Sequence, residues 1–436
     1  MAISFLPGWM RSGDRDVLAP FTAAHKERRE LFEKYWKYYR GRHKAALKVT
    51  PGQPDDNVTL NWSKKIVNQG GSFLFGKDVQ FSTDDNIKER TAEEQWLDTV
   101  WADDSARGFS KALFLKQVAQ NGGVCGTAFV RVYNLPDEKP RLVALDPAMV
   151  DILTDPDDYQ EITAYHILWE GQTSWNRHRI ERTDGGVWEI VAEKLERSNI
   201  WRMDDAPEPW PYTFAPVFHC QNLILANSHW GISDLEDADL NDAINFSASN
   251  INRILGIHAH PRTVGFGFEA SSLQTTAVDK FWTVPNEQAR VENLEMQSDL
   301  TSSRQHKADL EEAYHQVTSV PRLDPANVQI GGLSGFALQI LYGPLLDKTN
   351  DKRGTYGAML AQINRALLIL NGNENPPEVK NTWQNPLPTA GQEKANLFKT
   401  LVDGGVSVYA AAKVAGYSEE EAALMNQVDV PNGIMP

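Results

Sequence analysis

Two histidines and a run of aspartates are the residues whose types suggest metal binding in this 436-residue sequence. His258 and His260, in the sequence HAH, could supply two imidazole nitrogens, but no cysteine or second histidine pair lies at the spacing of a zinc site. Asp155, Asp157 and Asp158, in TDPDDY, could supply oxygens to calcium, but the run lacks the glycine and the terminal glutamate of an EF-hand loop. We interpret both stretches as polar turns and expect neither a metal nor another cofactor.

The glycine-rich run NGGVCGTA, at 121–128, shares some character with a phosphate-binding loop. It lacks the Gly-Lys-Ser/Thr sequence of a nucleotide-binding loop, so a turn between a helix and a strand is the favoured interpretation. Cys125 has no nearby histidine in the sequence to activate it, and we expect a buried structural thiol. No other arrangement of residues predicts catalysis, so we expect that the chain is not an enzyme.

The sequence YAAAKVAGYSEEEAALM, at 409–425, has the order of a helix-turn-helix motif: a helix, a glycine turn and a second helix. The second helix would be acidic, with no arginine or lysine to contact bases or phosphates. We therefore interpret this region as an interaction bundle and not as a DNA-reading motif.

The overall composition predicts a folded chain without a membrane span. Hydrophobic residues make up 41% of the chain and charged residues 23%, with a net charge of -15. Proteins that bind DNA by neutralising phosphates are usually basic, so contact with DNA would guide or repel it. No run approaches the roughly 20 apolar residues of a bilayer span, and the N-terminus does not resemble a secretory signal.

The patterns of apolar residues indicate an α+β fold, mainly helical with short β-strands. The first 230 residues combine helices with short β-rich runs bounded by turns. A helix is predicted over 231–256, with Ser233 and Glu236 as a capping box. A second helix is predicted over 300–319, and its apolar stripe is so thin that we expect partner subunits to complete it.

A long helix is predicted after the glycine-rich sequence NVQIGGLSG. Apolar residues at steps of three and four from Leu338 to Leu370 predict one helix of about 50 Å, and Pro344 should kink it without ending it. Charged residues interrupt the helix: Asp347, Lys348, Asp351, Lys352 and Arg353. They either pair with one another on a solvated face or face DNA or a neighbouring subunit.

The order of these parts resembles the portal proteins of tailed bacteriophages, of the siphovirus type. Four stretches carry the resemblance: YYRGRH at 38–43 with NWSKKIVNQGGSFLFGKDVQF at 61–81, SDLEDADLNDAINFSASN at 233–250, SVPRLDPANVQIGGLSGFALQILYGPLLDKTNDKRGTYG at 319–357, and LVDGGVSVYAAAKVAGYSEEEA at 401–422. Residues 257–299 carry no matching signature, so contacts in that segment are inferred from its position alone.

The resemblance implies a portal fold that assembles as a ring. Its regions would be a wing over 1–230, a first stem helix over 231–256, a clip over 257–299, a second stem helix over 300–319, a tunnel loop over 320–333, a wing helix with its following segment over 334–385, and a crown over 386–436. The tunnel loop would face DNA with Asp324, Asn327, Gln329, Gly331 and Gly332, and the stem would line the channel with Arg304, Lys307 and Glu311.

The function implied by the resemblance is structural. About twelve copies would form a channel at one vertex of the capsid, through which double-stranded DNA is packaged and ejected. The implied partners are the terminase large subunit, the head–tail adaptor, and the major capsid and scaffolding proteins, with assembly in the host cytoplasm and no membrane. Two alternatives remain: a DNA-binding capsid-assembly factor acting through the C-terminal helices, or a nucleic-acid enzyme with an unrecognised site.

Overall fold

The computed structural model describes most of the chain, and its described residues form two compact units. The described ranges are 23–44, 46–49, 51–52, 55–83, 90–102, 110–134, 138–171, 174–195, 200–259, 262–266, 290–294, 300–322, 335–387, 391–417 and 419–427. Unit 1 comprises the described parts of 1–40, 63–236 and 318–436, and unit 2 those of 41–62 and 237–317. The chain therefore passes from unit 1 into unit 2 twice, over 41–62 and over 237–317, and it returns from the second passage at Thr318.

Helices and short strands together build the fold, which agrees with the α+β class. The helices are α1 (Ala23–Tyr39), α2 (Trp62–Phe75), α3 (Ala92–Trp101), α4 (Lys111–Cys125), α5 (Asp239–Ala259), α6 (Thr301–Val317), α7 (Gly335–Leu341), α8 (Gly343–Leu370), α9 (Gly391–Asp403), α10 (Val408–Val414) and α11 (Glu419–Gln427). The strands are β1 (Gln80–Ser82), β2 (Thr127–Tyr133), β3 (Arg141–Leu145), β4 (Val150–Thr154), β5 (Ile162–Glu170), β6 (Trp175–Arg182), β7 (Trp188–Leu195), β8 (Trp201–Met203), β9 (Glu208–Trp210), β10 (Val217–Gln221), β11 (Arg262–Phe266), β12 (Arg290–Leu294) and β13 (Lys380–Thr382).

Strand β2 sits at the centre of unit 1 and is covered on both faces. It is the middle strand of an antiparallel sheet with the order β10-β2-β3. Val130 and Val132 belong to a core with α3, α4 and α8. Phe129, on the other face, belongs to a second core with residues of β5, β6 and β7, from the larger sheet β4-β5-β6-β7-β8. This two-sided burial explains why consecutive residues of β2, Phe129 and Val130, are both apolar.

The glycine-rich run at 121–128 is a turn between a helix and a strand, as the sequence predicts. Helix α4 ends at Cys125, and β2 begins at Thr127. Gly126 closes the helix with φ of +83°, and its N–H donates to the carbonyl of Gly122. This left-handed conformation strains any residue with a Cβ, so glycine is required here.

The structure contradicts the prediction of one unbroken helix up to Leu370, because one residue interrupts the helix. Tyr342 separates α7 from α8, with φ of −92° and ψ of 3°. Pro344 lies in the first turn of α8, where its missing N–H breaks no bond within that helix. Backbone bonds still continue across the break, from Tyr342 N to Leu338 O and from Leu346 N to Tyr342 O. The proline therefore divides the segment into two closely linked helices.

One further expectation needs correction. Helix α5 begins at Asp239, and Ser233 does not cap it, because its hydroxyl donates to the carbonyls of Gly123 and Val124 in unit 1. Strands β11 and β12 of unit 2 pair with each other in antiparallel register, Arg262 opposite Leu294.

The polar face of α5 holds an extended stretch of backbone. The amide of Val58 donates to Ser249 Oγ (2.9 Å), and the amide of Leu60 donates to Asn245 Oδ1 (2.8 Å). The Asn241 side chain donates to the carbonyl of Leu60 (2.7 Å). Asn241, Asn245 and Ser249 follow one another at four-residue steps, so they form one ladder along the helix. The Asn and Ser side chains of α5 therefore supply the hydrogen bonds to the backbone of 58–60 that a neighbouring β-strand would otherwise supply.

Replacing Asn245 with alanine should loosen this ladder. Asn245 is 2% exposed, so its removal leaves the Leu60 amide without its acceptor in a buried place. We expect a loss of about 1–3 kcal/mol in the free energy of unfolding, measured by urea denaturation, and faster hydrogen exchange at Leu60. Asn252→Ala is the matched control, because its bond to the Asp56 carbonyl is solvent-exposed and should contribute less. Equal effects of the two substitutions would contradict the ladder.

Candidate functional site: a buried ion cluster beside the chain crossings

A carboxylate and two ammonium groups meet in the interior of unit 1. Asp234 accepts hydrogen bonds from Lys352 Nζ at 2.9 Å and 2.6 Å, one to each carboxylate oxygen. Lys348 Nζ lies 3.0 Å from Asp234 Oδ1. Asn222 Nδ2 also donates to Asp234 Oδ1 (3.4 Å), and its own oxygen accepts from the hydroxyl of Tyr356 (3.3 Å). We call Asp234, Lys348 and Lys352 the ion cluster.

The ion cluster is buried, and its charges depend on one another. The side chain of Asp234 is 2% exposed, that of Lys352 4% and that of Lys348 15%. Burial alone would raise the pKa of Asp234, but attraction and hydrogen bonds from Lys352 and Lys348 outweigh it and hold the pKa below its usual value. Burial lowers the pKa of Lys352, and Asp234 opposes that shift. Asp234 is therefore ionised at neutral pH because the two lysines face it.

Glycine at position 122 provides the space for this arrangement. A Cβ built on Gly122 would overlap the hydroxyl of Tyr356, whose side chain is fully buried. That hydroxyl donates to Asn222, which in turn donates to Asp234. The absence of a side chain at 122 therefore lets α8 approach α4 closely enough to complete the polar network around the ion cluster.

Replacing Gly122 with alanine should destabilise the protein through this contact. Overpacking of a filled interior typically costs about 1–3 kcal/mol, and the Tyr356 ring has to shift away from Asn222. We expect this loss in the free energy of unfolding by urea denaturation. Tyr356→Phe in the same chain removes the overlapping hydroxyl and should recover part of the loss, whereas an unchanged loss would contradict a direct clash.

The ion cluster links three parts of the chain that are distant in sequence. Asp234 lies just before the chain enters unit 2, and Thr318 is the first residue after it returns. Lys348 Nζ donates to the carbonyl of Thr318 (3.1 Å) as well as pairing with Asp234. Val320 is buried and lies beside the ion cluster with Ile66 and Leu345. Helix α8 therefore binds both the departing and the returning segment.

The expectations for the charges of α8 need correction. Lys348 and Lys352 pair with the buried Asp234, whereas Asp347 and Asp351 are exposed. Lys352 is 3% exposed and bound to Asp234, so it cannot face DNA or a neighbouring subunit.

Arg353 is also engaged within unit 1. Its guanidinium donates to the carbonyl of Gln384 (2.7 Å) and lies over the ring of Trp383, 5.3 Å from the ring centroid. The side chain therefore fixes the segment after β13 against α8, and a contact with DNA or another subunit would have to displace it.

The predicted stem residues separate into exposed and buried positions. Arg304 is exposed on α6. Lys307 Nζ donates to Glu311 Oε1 at 2.6 Å, one helical turn away. Glu311 is only 5% exposed because it shares the inward face of α6 with Tyr314 and His315. Arg304 and Lys307 remain candidates for a channel wall, whereas Glu311 is buried and pairs with Lys307.

The predicted tunnel-loop residues lie outside the described residues. They are Asp324, Asn327, Gln329, Gly331 and Gly332. Their flanks are described: the backbone up to Arg322 on one side, and α7 from Gly335 on the other. The ion cluster binds close to both flanks, through Thr318 and through α8.

The remaining candidate metal ligands and the two cysteines have structural roles wherever the structure describes them. Asp155 Oδ1 accepts from the amides of Asp157 and Asp158, which is a side-chain-stabilised turn. Cys125 and Cys220 are buried, and burial raises the pKa of both thiols. His258 lies in α5 and His260 lies outside the described residues. Across the described ranges no group of histidine, cysteine and acidic side chains is arranged to hold a metal ion.

The helices of the described ranges include none that combines the length and the apolar character needed to cross a membrane.

The fold is shared with components of gene transfer agent (GTA) particles. The neck of an empty GTA particle, computed with C6 symmetry, aligns with a TM-score of 0.50 and 13% identity over 82% of this chain and 90% of that chain. The virion of a native GTA particle gives 0.47 and 12% identity over 90% and 92%. The neck of the native particle, computed with C12 symmetry, gives 0.46 and 13% over 82% and 89%. The first of these likenesses shows that this chain shares its fold with a chain of that neck.

The family follows from the sequence. The model of the family "Phage portal protein, SPP1 Gp6-like" matches residues 18–426, nearly the whole chain. The chain therefore belongs to this family of phage portal proteins, and the resemblance seen in the sequence motifs is confirmed. No curated protein sequence matches the chain.

Proposed function

We propose that the chain is the structural portal of a tailed-phage capsid or a phage-like particle, a ring of about twelve identical copies around a channel for double-stranded DNA. The family match over 18–426 is the observation that carries this proposal. In this role the ring is the passage for DNA during packaging and ejection. It docks the terminase large subunit and later the head–tail adaptor, and it contacts the major capsid and scaffolding proteins at one vertex of the virion after assembly in the host cytoplasm.

Helices α5 and α6 form the stem, strands β11 and β12 belong to the clip, and the helices α9, α10 and α11 form the crown. The wing comprises 1–230 and 334–385, including α8. The grouping of α5 and α6 in unit 2 supports the stem assignment, and that unit also contains 41–62 of the wing.

The tunnel loop at 320–333 lines the narrowest part of the channel. Glycines at 331 and 332 give the chain low-cost access to several backbone conformations. Asp324 is the single charged residue between 323 and 334, so the part of the loop after Arg322 offers no cation that would hold phosphates. The ion cluster is the fixed frame for this loop, since it binds α8 on one side and the Thr318 segment on the other.

The role in DNA movement is passive, because the family is structural. A chain with net charge of -15 presents an excess of negative groups, and DNA phosphates that pass such a wall are repelled. The energy for packaging comes from an external ATPase motor in this proposal.

The mass of the purified protein tests the proposal. Mass photometry should show a closed assembly of about twelve times the chain mass of 48.9 kDa, and negative-stain images should show a ring with a central hole. A chain that stays monomeric at micromolar concentration and hydrolyses ATP would overturn the proposal in favour of an enzyme.

A further inference from the structure

Two histidines lie where the sheet β10-β2-β3 packs on the larger sheet of unit 1. His178 is on β6 of the larger sheet, and His219 is on β10, opposite Phe129 of β2. Phe129 belongs to the core between the two sheets. Both histidines are partly buried. Because histidine gains its charge in weak acid, this contact contains groups that respond to mild changes in pH.

The neighbour of His178 across the contact is a buried cation. Arg131, on β2, is 3% exposed, and its Nη1 lies 2.6 Å from His178 Nδ1. A guanidinium can only donate, so Nδ1 must accept and His178 is neutral. Trp169 packs edge-on against the His178 ring, and the cross-strand neighbours Ile167 and Ala192 are uncharged. Burial, and after it repulsion by Arg131, lowers the pKa of His178 to about 4.

The other groups near Arg131 do not supply a negative charge to His178. Arg131 and Arg141 both lie over the ring of Tyr133, at 4.3 Å and 5.1 Å from its centroid. Glu208, on β9, attracts Arg131 but is exposed. In the ranges that the structure describes, no carboxylate forms an ion pair with Arg131 or His178. A proton on His178 would therefore add a second positive charge to the contact.

His219 has a second histidine as its neighbour. The ring centroids of His219 and His229 are 5.6 Å apart, and His219 also stacks on Phe129. The hydroxyl of Tyr165 lies 3.2 Å from His219 Nδ1, and burial raises the pKa of this phenol, so it stays neutral. His229 Nε2 donates to the carbonyl of Tyr159 (2.6 Å). Burial, followed by repulsion from His229, lowers the pKa of His219 to about 4.

We propose that the contact between these two sheets is an acid-sensitive junction, which loosens when His178 and His219 take up protons. Each proton adds a positive charge beside a group that is already positive or becomes positive in acid. The junction goes beyond the portal role, since all its groups lie within unit 1 of one chain. Strand β10 leads directly to Asn222, which donates to Asp234, so one short segment joins the junction to the ion cluster.

The pKa values give the sign and the range of the pH effect. Folding lowers the pKa of both histidines from 6.5 to about 4, so the unfolded chain binds these protons first as the pH falls. The stabilisation from neutral histidines is complete above pH 6.5 and is lost progressively as the pH falls towards 4. Asp234 acts in a lower range, because its ordinary pKa of 3.8 is lowered further by folding.

Urea denaturation of the purified full-length protein at pH 7 and about pH 4.5 tests the junction. The variant His178→Gln with His219→Gln keeps a side-chain acceptor at both places but cannot be protonated there. From pH 7 to pH 4.5, the unfolding equilibrium constant of the wild type should rise at least about tenfold more than that of this variant. Each chain is compared with itself, so a difference in stability at pH 7 does not affect the result.

The matched control is a histidine on the same sheet that faces a carboxylate. His166 Nε2 lies 3.1 Å from Glu181 Oε1, so a proton on His166 brings opposite charges together. His166→Gln should therefore not reduce the acid response of the wild type. Arg131→Met removes the cation beside His178 and should reduce that response.

An equal acid response in the wild type and the double glutamine variant would overturn the junction, as would an equal reduction by His166→Gln. Should the double variant not fold at pH 7, His178→Gln and His219→Gln are measured singly. Each should then remove part of the acid response, and no reduction in either would overturn the junction. A wild-type chain that forms no ring would defeat the portal proposal and leave this comparison intact.

Discussion

Particles assembled with a chain that lacks residues 327–332 should contain little or no DNA, although their portal rings form. The deletion removes Asn327, Gln329 and the glycine pair of the proposed tunnel loop, and it leaves the ion cluster and both stem helices unchanged. Rings are expected to keep their wild-type mass by mass photometry. DNA protected from nuclease in purified particles is the functional measurement, and we expect a loss of at least tenfold.

Two controls make this result interpretable. Gly331→Ala with Gly332→Ala keeps the length of the loop but restricts its backbone, so we expect a smaller loss of protected DNA. A deletion variant that forms no rings at all would show that 327–332 is needed for assembly, and the tunnel-loop assignment would then be wrong. Full packaging with the deletion would contradict it as well.

Removing the carboxylate of the ion cluster should have the largest effect on stability. Asp234→Ala removes the carboxylate that pairs with Lys352, and the ammonium group of Lys352 stays buried. Breaking a buried ion pair on one side typically costs about 3–5 kcal/mol, because the remaining charge stays desolvated. Urea denaturation of the purified chain would measure this loss.

Replacing both partners provides the matched control. A chain with Asp234→Leu and Lys352→Met removes the negative and one positive charge together, and we expect it to lose less stability than Asp234→Ala. If the double variant is the less stable of the two, the cost does not arise from an unpaired charge. Lys348→Met is a further comparison, because Lys348 is more exposed than Lys352 and its loss should matter less.

The same cluster predicts how stability changes with pH. Because the pKa of Asp234 is lower in the folded than in the unfolded chain, the unfolded chain binds the proton first as the pH falls. The stabilisation from this carboxylate is complete above the unfolded pKa and disappears as the pH drops through the folded one. The free energy of unfolding of Asp234→Asn should therefore fall less steeply than that of the wild type as the pH is lowered. An equal fall in the free energy of unfolding for the two chains would contradict the lowered pKa of Asp234.

The sequence predicts those parts of the fold that depend on local patterns. The α4–β2 turn follows from the glycines of NGGVCGTA, whereas the sequence predicted only a kink at Pro344 and not the break at Tyr342. The family was also recognisable, because its motifs are contiguous stretches. The start of α5 was misplaced since Ser233 has the residue type of a helix cap, but its hydroxyl is engaged by carbonyls more than a hundred positions earlier in the chain.

The ion cluster could not be predicted because its members are far apart in sequence. Asp234 and Lys352 are separated by 118 positions, and nearer aspartates made pairing within α8 the simpler hypothesis. One signal was present: Gly122 lies inside a helix, where glycine is unfavourable unless a neighbour needs the space. Asn245 likewise binds backbone that lies 185 positions away. Such long-range contacts leave no periodic trace in the sequence.

The central claim is that this chain forms a ring whose tunnel loop faces the channel, and end-on electron microscopy of labelled rings tests it most directly. A Gln329→Cys variant labelled with maleimide nanogold should react at the introduced cysteine, because Cys125 and Cys220 are buried. We predict gold density inside the central hole of the ring. Gold at the outer rim, or a labelled protein that forms no ring, would contradict the account.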